Sequence, residues 1–328
     1  MNEFTQLINL ASAKLGAKIL NANDEFFAPK ENLLKPELAT FIPHKFTSRG
    51  KWMDGWETRR RRIPGYDWCI VRLGLPGIVH GVEVDTSHFT GNYPEYCSLD
   101  ACYSPGDKLS SLTRWVEILP KSPLQGNTQN RFTITHSQPW THLRLNIYPD
   151  GGVARLRVYG EVLVDWNRKK NKLVDLVAIQ NGGVVLECSD MHFGSKDNLL
   201  MPGRAKNMGE GWETRRRRGP GYDWAILKLG TPGFIQKIEV DTNHFKGNYP
   251  ESCSLEGCFQ EDATLEELKN SSSWEEILPR TKLKPNKRHF LQKEIQLKKP
   301  FTHVRLSIFP DGGVSRLRLY GKATNSKF

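Results

Sequence analysis

Apolar and polar residues alternate along residues 82–89, 142–148 and 153–159, and clusters of Gly, Pro, Asn and Asp interrupt the alternation at short intervals. Period-two patterning puts every second side chain on one face, so these segments predict half-buried strands joined by tight loops. Apolar spacing of three and four residues is confined to two places. Phe4, Leu7, Ile8, Ala11 and Leu15 show it near the start, and Leu173, Leu176 and Val177 show it ahead of Gly182 and Gly183, which read as a helix C-cap. The pattern predicts an all-β chain with a short helix before each run of strands.

The strand pattern occurs twice because the chain is an internal duplication. GWETRRRRIPGYDW at 55–68 returns as GWETRRRRGPGYDW at 211–224, one substitution in fourteen positions at an offset of 156. VDTSHF at 84–89 and GNYPEYCSLDAC at 91–102 return at the same offset as VDTNHF and GNYPESCSLEGC. THLRLNIYPDGGVARLRVYG at 141–160 returns 161 residues later, and residues 24–34 match 190–200 at offset 166, because the first copy carries ten extra residues before its GWET. A period near 160 is a whole domain and not a solenoid repeat. Two tandem jelly-roll β-sandwiches are therefore expected, over residues 1–165 and 166–328, with the boundary in DWNRKKNK.

Composition narrows the class. At 328 residues, 38% hydrophobic and 25% charged, the chain is long enough for two cores and too apolar for disorder. The net charge of +11 favours anionic ligands without choosing among them. No stretch approaches the roughly 18 apolar residues of a membrane span, and the first residues lack a secretory pattern. Six sparse cysteines suit a reducing compartment. The final Ser326, Lys327 and Phe328 approximate a peroxisomal address, so cytoplasm and peroxisome both stay open.

Four repeated features carry candidate chemistry. The arginine runs at 59–62 and 215–218 alternate between faces if extended and lack interleaved stacking aromatics, which disfavours nucleic acid. Either they form charge pairs on an exposed strand, or one or two guanidiniums grip a carboxylate bidentately. The PDGG segments at 149–152 and 310–313 are tight turns first; their backbone donors could also hold an oxyanion beside Arg155, Arg157 and Tyr159. His88 and His244 follow Asp85 and Asp241 by three residues, an odd spacing that lets each pair meet only at a bulge or strand end. The C-x4-C pairs, Cys97 with Cys102 and Cys253 with Cys258, fit no zinc or redox pattern and read as small buried hydrophobes.

Taken together, DGWETRR, the DW at 67–68, VDTSHFTGN and PDGGVARLRVYG, with their second-copy partners and SDMHFGSKDNLLMPGR at 189–204, make the chain resemble the allantoicase family over nearly its whole length. The resemblance implies galactose-binding-like jelly rolls, a homo-oligomer, and hydrolysis of allantoate to ureidoglycolate and urea. No cofactor is expected, no metal ligand is assigned, a divalent metal is left open, and neither nucleic acid nor membrane is a partner. A small carboxylate bearing two ureido groups needs a cation, amide-matching groups and a proton donor for departing urea. Arg60, Arg155, Arg216 or Arg316 would clamp the carboxylate, and Glu57 or Glu213 with His88 or His244 would move protons. Asn92, Asp150, Asn248 and Asp311 would bind the ureido groups. The first copy has Phe26 where the second has His192, so the halves need not be equally active. The alternative is a non-catalytic, sugar-binding sandwich module, a common use of this architecture.

Overall fold

A computed structural model describes residues 3–106 and 109–324. The chain divides into two compact units, 1–163 and 164–328, each an antiparallel β-sandwich. The terminal Ser326, Lys327 and Phe328 lie outside the described residues.

In the first unit one strand, Asp67–Asp85, organises everything else. Its first half lies between Lys18–Ala22 and Pro139–Tyr148, and the latter continues the layer to Tyr96–Cys102 and Val116–Pro123. Its second half lies between Arg155–Val162 and Gln129–Thr133. The strand thus passes from one layer to the other at Gly74, Pro76 and Gly77. A Cβ on Gly77 would sit 2.2 Å from the Glu161 carbonyl oxygen, so only glycine allows this crossing. The alternation seen in the sequence becomes the core: Val71, Val82, Val84, Leu143, Leu145, Leu156 and Val158 are fully buried. The second unit repeats the plan around Asp223–Asp241, between Val184–Cys188 and Pro300–Phe309 in one layer and between Arg316–Ala323 and Arg288–Leu291 in the other.

The expected N-terminal helices shrink to single 3₁₀ turns. Glu3–Gln6 and Ala13–Leu15 flank the strand Ile8–Asn9, and Val174–Asp175 precedes the turn Ile179–Asn181. Side chains compete with helix here: Asn9 Oδ1 accepts from Ala11 and Val158 N–H, and Asp175 Oδ1 accepts from Val177 and Leu319 N–H. Gly182 does cap its turn, at φ 84°. An α-helix occurs at Leu265–Asn270, where Thr264 and Glu267 form a capping box. All four C-x4-C cysteines are buried free thiols, as their small apolar character predicts.

The PDGG turns serve packing. Gly151 adopts φ 138°, and a Cβ on Gly152 would lie 1.9 Å from the Phe89 ring. Gly151 N–H donates to Thr58 Oγ1 at 3.1 Å and Gly152 N–H to the Asn92 carbonyl at 2.7 Å, so neither amide is available to an oxyanion.

Arg155 is 1% exposed and ion-paired with Asp54 at 2.6 Å. Its remaining N–H groups reach the carbonyls of Glu37, Leu38, Asp54 and Ala154. The second-copy counterpart is looser: Arg316 approaches Glu210 only to 3.9 Å, and Glu210 is 28% exposed. Removing one member of a buried pair strands the other charge, which costs about 3–5 kcal/mol. Arg155→Met should therefore lower the first unit's unfolding midpoint clearly more than Arg316→Met lowers the second's, as read by calorimetry of the full chain.

Candidate active site

A cavity of about 510 Å³ opens in the first unit. Two kinds of segment build it. The repeated motifs supply Glu57, His88, Thr90 and Asn92, and the stretch before GWET supplies Phe41, Gly50, Lys51 and Met53, with Phe27 and Asn127 completing the wall.

Glu57 sits in the two-residue strand Trp56–Glu57, which pairs with Gly152–Val153 and bridges to Ala28. Trp56 anchors it, fully buried, with its indole N–H donating to the Asp24 carbonyl at 2.8 Å. Burial raises the Glu57 carboxyl above its ordinary pKa, against the opposing effect of the Asn92 Nδ2–H bond to Oε1 at 2.6 Å. This carboxyl holds a proton more readily than an exposed one.

His88 lies just past the end of the Asp67–Asp85 strand, where Asp85 Oδ1 accepts the Ser87 N–H at 2.8 Å. The strand end anticipated from the odd spacing is present, yet Asp85 and His88 do not pair. His88 takes φ 70°, and a non-glycine residue in the left-handed region costs on the order of 1 kcal/mol. Its backbone N–H donates to Asn127 Oδ1 at 2.9 Å, its ring stacks on Phe41 at 5.7 Å, and Nε2 lies 3.1 Å from the Ala39 carbonyl oxygen. A carbonyl only accepts, so Nε2 carries a proton in this hydrogen bond, and Nδ1 is the nitrogen left to face the cavity's other groups.

Of the first-copy candidates, Glu57, His88 and Asn92 line one cavity, whereas Arg60, Asp150 and Arg155 do not. Arg155 serves the Asp54 clamp. Asp150 Oδ2 accepts the Arg61 backbone N–H at 2.8 Å and so closes the turn instead of facing a ligand. Arg60 is exposed because the sheet ends at Glu57; beyond it Arg59 pairs with Asp24 and Arg61 with Asp67. The second copy repeats these placements: Arg215 pairs with Asp190, Arg217 with Asp223, Asp311 accepts from Arg217 N–H, and Arg216 is exposed. Arg316 is buried and gives hydrogen bonds to the carbonyls of Gly203, Glu210 and Ser315, so it ties together segments of its own unit.

The cation that does line the cavity is Lys51, whose Nζ lies 4.4 Å from the Phe41 ring centre. It follows the ten residues that the second copy lacks, and Asn207 stands at its place in that copy, so no repeated cation marks it in the sequence. Glu213, His244 and Asn248 keep the local geometry: Asn248 donates to Glu213, and His244, at φ 71°, places Nε2 2.9 Å from the Ala205 carbonyl oxygen. They lack the extra segment, and with it the counterpart of Phe41. Among the described residues no group of three or more His, Cys, Asp or Glu is placed to hold a metal ion, and no helix is long and apolar enough to cross a membrane.

Fold and cavity define a doubled β-sandwich with a cavity in its first copy. The allantoicase repeat family model matches residues 8–163 and 174–324. A probable allantoicase of Burkholderia mallei is 52% identical over 97% of this chain and 96% of its own, and one of Pseudomonas fluorescens is 51% identical over 98% of each. The crystal structure of allantoicase from Saccharomyces cerevisiae, 37% identical, superposes with a TM-score of 0.83 over 97% of this chain and 96% of that one. The chain belongs to the allantoicase family.

The cavity wall carries a pH signature. Burial disfavours the Asp54 carboxylate, but hydrogen bonds from Arg155, Lys35 and Thr40 outweigh it and hold the pKa at about 2. A depressed folded-state pKa gives stability that is complete above the ordinary carboxylate value and fades as pH falls through the folded one. The clamp should hold down to pH about 4 and weaken between there and about 2. Hydrogen exchange of residues 36–54 at stepped pH should rise in that window.

Proposed function

We propose that the first copy hydrolyses allantoate to ureidoglycolate and urea. In that reaction one C–N bond at the methine carbon breaks, water supplies the oxygen that replaces nitrogen, and the departing nitrogen gains a proton. Lys51 would stand against the carboxylate and the Asn92 amide beside a ureido group. Glu57, with its raised pKa, would deliver the proton to departing urea, and His88 Nδ1 would accept one from the attacking water. The observation that supports this reading is the joining of Glu57, His88, Asn92 and Lys51 in one cavity. Its dimensions suit a small organic anion, and proton transfer with C–N cleavage calls for no redox partner.

Copy-specific mutagenesis tests the reading, with urea release as the assay. Glu57→Gln should reduce kcat by about 10²- to 10⁴-fold, the usual contribution of a positioned proton donor. Glu213→Gln should leave kcat within about twofold, because a group outside the reacting site contributes no transition-state stabilisation. Equal losses in both variants would overturn the assignment to the first copy. Lys51→Met should act mainly on KM. Asn92→Ala removes the bond that lowers the Glu57 pKa, so the pH profile of kcat/KM should move to higher pH.

A further inference from the structure

The second copy keeps more of the site than packing alone requires. Glu213 stands in the two-residue strand Trp212–Glu213 as Glu57 does in its own, and Asn248 donates to it as Asn92 does to Glu57. His244 takes the same left-handed backbone and donates its N–H to Asn286 Oδ1 at 2.8 Å, as His88 does to Asn127. A residue needed only to turn the chain there would be better as glycine or asparagine.

What differs is the cation and the wall. Ala39 and Ala205 hold equivalent places, each taking the Nε2 bond of its own histidine, so the extra ten residues fall just after Ala39. At the place of Lys51 the second copy has Asn207, and at the place of Thr90 it has Lys246. The second copy therefore carries a lysine at the position that in the first copy holds Thr90, a residue of the cavity wall. In the first copy the lysine comes with an apolar wall that includes Phe41 and Met53; in the second, Lys246 is exposed and Gly209 replaces Met53. A cation with an amide recognises a small ureido carboxylate, while a site without the wall leaves the ligand hydrated.

We propose that the second copy is a non-hydrolysing binding site for small carboxylates bearing a ureido group, the chemical class of the first copy's substrate and product. The inference rests on the first copy being the catalytic one, and the two can fail separately.

N-carbamoylglycine has the carboxylate and a single ureido group, so its carbon lacks the second nitrogen whose lone pair would help expel urea. Titrated calorimetrically into the full chain, it should bind at two sites per chain. Lys246→Met, an exposed change that the fold tolerates, should weaken one of them at least tenfold and leave kcat/KM for urea release within twofold. Glu57→Gln should slow urea release by about 10²- to 10⁴-fold, as expected of a positioned proton donor, while the Lys246-dependent site persists. One site per chain in the unaltered protein, or two sites both indifferent to Lys246→Met, would overturn the proposal. Undiminished urea release in Glu57→Gln would instead refute the catalytic assignment, with the count of sites still standing on its own.

Discussion

The buried ion pair between Arg155 and Asp54 is the constraint on which the first-copy cavity depends. Residues 36–54 form little regular structure of their own, so their placement comes from side chains reaching out of the sandwich. Arg155 and Arg157 take up the carbonyls of Pro36, Glu37 and Leu38 from the Arg155–Val162 strand, and Asp54 ties the far end to the same guanidinium. Between those anchors lie Ala39, which fixes the His88 ring, and Phe41, Lys51 and Met53, which line the cavity. Without the pair, an unpaired buried charge would favour release of the whole segment.

Much of this was legible in the sequence, for reasons that residues make plain. Two-residue alternation reports the strands directly, and the repeated motifs that stood out by self-comparison contain Glu57, His88 and Asn92, three of the four polar groups proposed to act. Their nearness follows from topology that the motifs themselves encode. The GWET strand pairs beside the PDGG turn, and the turn's Gly152 packs on Phe89, the neighbour of His88.

What escaped the sequence did so because it depended on a third party. Arg155 and Arg157 alternate with leucine and valine, which reads as polar groups leaving one side of the strand toward a ligand; instead Pro36, Glu37 and Leu38 cover that side and take their hydrogen bonds. Asp150 looked like a ligand group because nothing in the sequence reveals that Arg61 brings it a backbone N–H. The helical periodicity of the first residues was real, but Asn9 and Asp175 supply side-chain acceptors that draw the chain into a strand. Lys51 aligns with Asn207, so the comparison of the two copies shows no shared cation there.

The strand Asp67–Asp85 belongs to both layers of its sandwich, and this ties their fates together. Opening either layer frees one half of a continuous segment whose other half is still paired, so partial melting gains little chain entropy while losing core contacts. Each unit should consequently come apart as a single cooperative block. The part of the cavity wall built at the end of such a strand, His88 and Thr90, inherits the rigidity of the entire block.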